Sequence, residues 1–356
     1  MNQDFGNDKK SAYKAKLDAQ KIAFGPIMFQ AAKALRDLGI LAYLLETTSK
    51  GAELEAIAKD LELPVYGVKV LLEAGLSLKM VRFIKGKYLL TKTGFFIERD
   101  ELTRVNMDFT HDVNYLGMFH LEDAIHNGKP EGLKVFGKWN TIYEALADLP
   151  DQVRKSWFAF DHFYSDYAFP EVMPHLFAGK PKKILDVGGN TGKFSIFCAG
   201  YDKDVHLTIL DLPGQIEEAN ENIRQQGLED RISTHALNLL DNSVPFPKGY
   251  DAIWMSQFLD CFSQEEIFGL LKRSYDALDK NGSLYILETY WDKQQHEAST
   301  YSLHATSLYF TAMANGNSQM YHSNDMVKLV EKAGLKIDEI SENIGVSHTL
   351  FKCVKK

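Results

Sequence analysis

With 356 residues, the chain is longer than one ordinary domain and has room for two or three, each with a sizeable core. Its 45% hydrophobic, 25% charged and 12% aromatic composition excludes disordered, collagen-like and disulfide-framework chains, and 40 Lys and Arg against 48 Asp and Glu give a net charge of -8. That acidic balance disfavours affinity built on phosphate neutralisation, so no nucleic-acid partner is expected.

The polar N-terminus has no apolar core of a signal peptide, and no apolar run is long enough to span a bilayer, so a cytoplasmic chain without a membrane partner is expected. Cys198, Cys261 and Cys353 are widely spaced and form no CxxC pair, which fits a reducing compartment. Neither a zinc site nor any other His and Asp cluster at metal-ligand spacing is written here, so metal independence is expected.

In chain order, residues 20 to 45 come first, with Ile27, Ala31, Leu35 and Leu38 at helical spacing and Ile40, Leu41 and Leu44 extending the same stripe. Residues 49 to 97 then read as a helix, a turn at Leu63-Pro64, a second helix, and two short strands, MVRFI and KYLLT, around Lys85-Gly86-Lys87. This order predicts a winged helix-turn-helix. Its second helix, VYGVKVLLEAGLSL, carries one lysine and no arginine, asparagine or glutamine to reach base edges, so packing against another subunit or domain is the favoured use.

Residues 100 to 180 are helical in period and rich in aromatics, among them Phe109, Tyr115, Phe119, Phe136, Trp139, Tyr143, Trp157, Phe158, Phe160, Phe163 and Tyr164. Most are expected in the core and some in a pocket wall. Beyond a linker near Gly179-Lys180-Pro181-Lys182, seven short β-branched or leucine-rich runs alternate with helical segments, which predicts an α/β domain with a mostly parallel, doubly wound sheet.

The segment Ile184 to Ser195, ILDVGGNTGKFS, runs from a strand into a helix through a glycine-rich turn. Glycines there permit a tight turn and a close ligand. The spacing of Gly188, Gly189 and Gly192 does not fit G-x-G-x-x-G, which weakens a nicotinamide or flavin reading. The next strand ends in Asp211, placed either to accept from ribose hydroxyls or to cap the following helix.

The run DVGGNTG followed by ILDLP resembles the class I S-adenosylmethionine-dependent methyltransferases. With the preceding winged helix, it resembles the small-molecule O-methyltransferases of the caffeate, hydroxyneurosporene and acetylserotonin type, from about residue 20 to the end. The resemblance implies a Rossmann-like seven-stranded sheet at 181–356, a helical linker and substrate-pocket region at 106–180, and a mainly helical winged-helix dimerisation domain at 1–105, hence a homodimer. It implies S-adenosylmethionine as cofactor, with S-adenosylhomocysteine as product, and a small, aromatic, hydroxylated acceptor. Asp186, Gly188 and Gly192 would hold the methionine end and backbone, Asp211 the ribose and Asn238 the adenine. Gly189, Leu212, Leu239 and Ser256, the last where the family often has a lysine, would be further cofactor-binding positions. Asn238 stands where the family has an acid, and an amide still accepts a hydrogen bond. Phe160, Tyr164, Ser307, Phe310, Thr311 and Asn315 match positions that line the acceptor pocket.

The family's catalytic histidine falls at Asp260 in LDCFSQE. One of the two acids that orient it is kept as Glu288, and Met320 replaces the other. An ordinary Asp is a poor base for a phenol, but if Asp260 lies beside Glu288 in a closed pocket, one carboxyl is pushed up into a useful range. Otherwise Asp260 caps the helix near Ser263, or the chain uses its cofactor for altered chemistry such as hydroxylation or decarboxylation, or acts as a ligand sensor. His162, His304 and His322 are substitute bases in principle, although structural roles are commoner for such residues.

Overall fold

The computed structural model describes Phe5 and residues 7–356, and these form two compact units, one ending at His111 and one running from Asp112 to Lys356. In the N-terminal unit the stripe predicted over residues 20 to 45 is divided among three helices, Ala12–Ala23, Gly25–Asp37 and Ile40–Thr47. Gly39 adopts a left-handed conformation and breaks the register, so Leu35, Ile40, Leu41 and Leu44 are buried while Ile27 and Leu38 face solvent. Helices Leu54–Asp60 and Val65–Ser77 follow, then the antiparallel strands β1 (Val81–Ile84) and β2 (Lys87–Leu90). Ile57, Val68 and Leu72 join the same apolar core, which is the helix-turn-helix and wing order expected.

The second unit opens with short helices and the long helix Asp151–Asp166, then builds one sheet. Its strands are β3 (Lys183–Val187), β4 (His206–Asp211), β5 (Ile232–Ala236), β6 (Tyr250–Ser256), β7 (Leu278–Glu288), β8 (Leu335–Ile344) and β9 (His348–Lys355). The spatial order is β5-β4-β3-β6-β7-β9-β8, parallel except for β9, which runs antiparallel to both neighbours. The chain leaves β3 in one direction toward β5 and later returns to β6 on its other side. That reversal opens a crevice at the carboxyl ends of β3 and β6, where open α/β sheets bind ligands.

The inner strands β3, β6 and β7 are covered on both faces at their carboxyl ends and are apolar on both sides there, whereas the edge strands β5 and β8 are largely exposed. Leu185 and Val187 of β3 enter one core with Ile253, Met255 and Ile286, while Ile184 enters the other with Trp254 and Leu287. In that second core the Phe194 and Trp254 rings stack at 4.3 Å. Aromatics between residues 100 and 180 are less buried than expected from composition: Phe109 and Trp157 are buried, Phe119 is 82% exposed, and most of the others are half-buried. A helical period records which side chains share a face and leaves open whether that face meets a core or a cavity.

Arg273, buried on helix Gln264–Ala277, ties the loop after β5 to this framework. Its guanidinium donates to the carbonyls of Leu239, Asp241 and Val244 and lies 4.4 Å over the Phe246 ring. Three carbonyls would lose a charged donor in Arg273→Ala, so a loss of about 3 kcal/mol in urea unfolding is expected. An unchanged midpoint would contradict this role.

Candidate functional site

A cavity of about 450 Å³ opens at the carboxyl ends of β3, β4, β5 and β6. Strand-end residues on its wall include Gly188, Asn190, Asp211, Leu212, Asn238, Leu239 and Gln257. Gly188 has φ of 77°, and a Cβ there would come within 2.3 Å of the Phe258 ring, so both the backbone and the packing demand glycine. Asn190 and Gln257 also adopt left-handed φ, at 49° and 47°. Two non-glycine residues in that region on one cavity wall mark turns held by their surroundings.

Asp186 and Gly189 stand behind this wall. The Asp186 carboxyl is 2% exposed, accepts from the Ser195 hydroxyl at 2.7 Å, and is pushed up to about 7 by burial. Asp211 accepts from Asn190 N at 2.8 Å through Oδ2 and from Leu212 N at 2.7 Å through Oδ1. Each oxygen keeps a further lone pair for a ligand hydroxyl. Burial raises the Asp211 carboxyl, and the two backbone donors oppose that. Asn238 Oδ1 accepts from Leu240 N at 3.0 Å, and its Nδ2 donors are left for a ligand. Gly192 caps helix Lys193–Tyr201 behind the turn, and Ser256 lies at the end of β6, while its neighbour Gln257 lines the cavity.

The rest of the wall is aromatic. Trp157, Phe160, Asp161 and Tyr164 share one face of helix Asp151–Asp166, with Tyr309, Phe310 and Phe262 also on the lining. The Trp157 indole donates to Tyr309 Oη at 2.8 Å, which fixes both rings. Asn315 donates to the Cys261 carbonyl and to Ser318 Oγ, and it lines the cavity. Ser307 and Thr311 are not among the lining residues, a correction to the sequence expectation. The Ser307 hydroxyl donates to the Leu303 carbonyl and accepts from Met320 N, and Thr311 donates to the Ser307 carbonyl. Their hydroxyls are consumed by the helix and by the loop beside it.

Asp260 lines this cavity at 7% exposure, and Glu288 lies behind it at 2%. The Glu288 Oε1 atom accepts from Phe258 N at 3.0 Å and Leu259 N at 2.7 Å, which fixes the turn carrying Asp260. Asp260 Oδ1 accepts from the Cys261 thiol at 3.5 Å. Burial pushes Asp260 up to about 7, and burial together with the Asp260 charge pushes Glu288 well above the carboxylate range. Helix Gln264–Ala277 is capped by Ser263 in a capping box with Glu266, so Asp260 is not its cap.

Met320 lines the cavity in the other acid's place and accepts from Thr289 Oγ1 at 3.4 Å. None of the three histidines lines it. His322 Nδ1 accepts from Asn324 N and caps helix Ser323–Lys332, His304 is exposed beside the Trp291 ring, and His162 stacks on Phe158 with burial lowering its basicity. Tyr143, Trp157, Asp161, Gln257, Cys261 and Tyr309 were not picked out as site residues from sequence. The available signal was the spacing of Trp157, Phe160, Asp161 and Tyr164 on one helix face.

Residues 118–336 match the O-methyltransferase domain family, and residues 16–88 match a Dimerisation2-like domain. The chain belongs to the O-methyltransferase domain family, and it is an S-adenosylmethionine-dependent methyltransferase. It is similar to an L-tyrosine C(3)-methyltransferase of Streptomyces lavendulae, 25% identical over 328 residues that cover 90% of this chain and 88% of the relative. A bacteriochlorophyllide d C-20 methyltransferase of Chlorobaculum tepidum is 23% identical over 290 residues, covering 80% and 82%. Among solved structures, the S-adenosylmethionine-dependent methyltransferase SibL in its apo form matches with a TM-score of 0.72 at 22% identity, over 94% of this chain and 98% of that one.

The donor set fits this cofactor. Asp211 offers paired acceptors for a ribose diol, and a cavity whose charged lining residues are all acidic suits a ligand carrying a sulfonium and an ammonium. Two variants test the cofactor half. Gly188→Ala is expected to lower both stability and S-adenosylhomocysteine affinity, whereas Asp211→Ala is expected to lower affinity by about tenfold or more with the fold intact. Calorimetric titration together with thermal unfolding separates the two outcomes.

Proposed function

We propose that the chain methylates a small aromatic acceptor at a hydroxyl oxygen, with Asp260 as proton acceptor and Glu288 as the group that positions and tunes it. S-adenosylmethionine, when bound, supplies the electrophilic methyl group. Asp211 and the Gly188 turn bind and orient the cofactor, while the Trp157, Phe160 and Phe310 side hosts the acceptor ring and excludes water. The single observation that carries this reading is the buried carboxyl pair of Asp260 and Glu288 at an aromatic cavity.

A phenol loses its proton near pKa 10 and an ordinary Asp near 3.9, a gap of about six units. With Asp260 raised to about 7, the gap narrows by about three units, roughly 4 kcal/mol. Burial and the neighbouring Asp260 charge both disfavour an ionised Glu288, so the two carboxyls titrate as a pair in which full ionisation is opposed. Only ionised Asp260 accepts a proton, so kcat/KM is expected to rise with pH and level off above about 7. Asp260→Asn should remove that limb and lower the rate by about 10²-fold or more. A variant that keeps the wild-type rate and pH profile would sink the assignment.

A second reading has support from the wide-coverage similarity to the L-tyrosine C(3)-methyltransferase. Removing a phenolic proton also raises electron density on the flanking ring carbons, so the same Asp260 serves a carbon acceptor, with the ring proton leaving after the methyl is attached. Proton NMR of the product distinguishes a methoxy group from a ring methyl.

A homodimer formed through the N-terminal unit is part of the same proposal. Helix Ala12–Ala23 buries none of its residues, and Ile22 and Ile27 are 80% and 66% exposed. A helix this short is marginal without tertiary packing, which supports a partner surface over it. A nucleic-acid partner is not part of this proposal, because helix Val65–Ser77 carries one cation, Lys69, which lies 4.0 Å from Glu73. Free thiols at Cys198, Cys261 and Cys353 suit the cytoplasm. Light scattering should give a dimer mass for the wild type and a monomer mass for the double variant Ile22→Asp, Ile27→Asp.

A further inference from the structure

The charged residues on the cavity wall are Glu144, Asp161, Asp211, Asp260 and Glu266, and among the described residues no Lys, Arg or His joins them. Four of these carboxylates have work inside the protein. Glu144 accepts from Asn140, Asp211 from two backbone amides, Glu266 from Ser263 in the capping box, and Asp260 from the Cys261 thiol. Asp161 differs. The nearest basic nitrogen is His162 Nδ1 at 3.9 Å, too long for a hydrogen bond and on a ring whose basicity burial lowers, and Lys193 is engaged with Asp166 at 3.1 Å.

The surroundings of Asp161 are unusual for a carboxylate that serves only the fold. It shares its helix face with Trp157, Phe160 and Tyr164, and all four side chains line the cavity. A carboxylate among aromatic faces is the combination that binds an organic ammonium, through an ion pair and ring quadrupoles together. The same census works against an anionic acceptor, which would enter without a cationic side chain to meet it.

We propose that Asp161 anchors a protonated amino group on the acceptor, so that the enzyme selects a hydroxylated aromatic amine over the corresponding acid. This rests on the methyltransferase reading and specifies the acceptor for the same cavity. Asp161 makes the acceptor's charge, as well as its ring, a condition for binding.

The test is calorimetric titration of the full chain saturated with S-adenosylhomocysteine, using tyramine, tyrosol and phloretic acid, three phenols whose side chains end in an amine, an alcohol and a carboxylate. Tyramine is expected to bind about tenfold more tightly than tyrosol, and phloretic acid more weakly than either. In Asp161→Asn the tyramine advantage should fall to within about twofold while S-adenosylhomocysteine affinity is unchanged. Asp161→Glu, which keeps the charge, should retain part of the preference and guards against a folding defect in the first variant. Equal binding of tyramine and tyrosol, tightest binding by phloretic acid, no tyramine binding at millimolar concentration, or an amine preference that survives Asp161→Asn would each overturn the proposal. Failure of S-adenosylhomocysteine itself to bind would strike instead at the cofactor site, so the two readings fail separately.

Discussion

The carboxyl group of Asp186, buried at the end of β3, is the constraint on which the site depends. It takes the Ser195 hydroxyl from the following helix and lies against Gly189, where a Cβ would come within 2.8 Å of its Oδ2 atom. Strand, turn and helix are thereby held in one arrangement. The turn places Gly188 against the Phe258 ring, and Phe258 belongs to the segment whose amides are held by Glu288. A chain of contacts thus runs from the first strand of the sheet to Asp260, so the Gly188 turn and the Asp260 segment are set by one piece of packing.

Burial is also what gives the carboxyls their chemistry. Removing a carboxylate from water disfavours its charge, and Asp186, Asp211, Asp260 and Glu288 are all raised mainly by that cause. Their hydrogen bonds differ, which separates the roles. Asp211 has two backbone donors that favour its charge, whereas Glu288 has donors on Oε1 only and a buried Oε2 with no hydrogen-bond partner among the described residues. Burial thus disfavours ionising both carboxyls of the Asp260 and Glu288 pair, and hydrogen bonds oppose that cost at only one Glu288 oxygen.

Much of the C-terminal sheet was legible because strands buried on both faces are written as short β-branched or leucine runs, as in Lys183–Val187 and Tyr250–Ser256. Gly188 and Asp211 were legible because few residue types satisfy a tight turn and a strand-end acceptor. Asp260 and Glu288 emerged from the family resemblance, and the structure places both at the cavity or directly behind it. Ser307 and Thr311 misled because helical spacing reveals the face of a hydroxyl but not whether a carbonyl one turn back has taken it. The pairing of Trp157 with Tyr309 spans 152 residues of chain, a distance over which local pattern carries no information.

The wall that carries Phe310 and Asn315 ends in a π-helical turn, Phe310–Ala314, directly after helix Glu297–Tyr309. Such a turn holds one residue more than an α-helical turn in the same length of axis. Deleting a single residue there would close it into an ordinary α-helical turn and leave the phase of the chain beyond it nearly unchanged. Asn315, which follows the turn and joins this wall to the Cys261 carbonyl, would then stay near its partner. The wall therefore absorbs one residue of chain length at this point, so the lining at Phe310 can change locally while the contacts beyond the turn are kept.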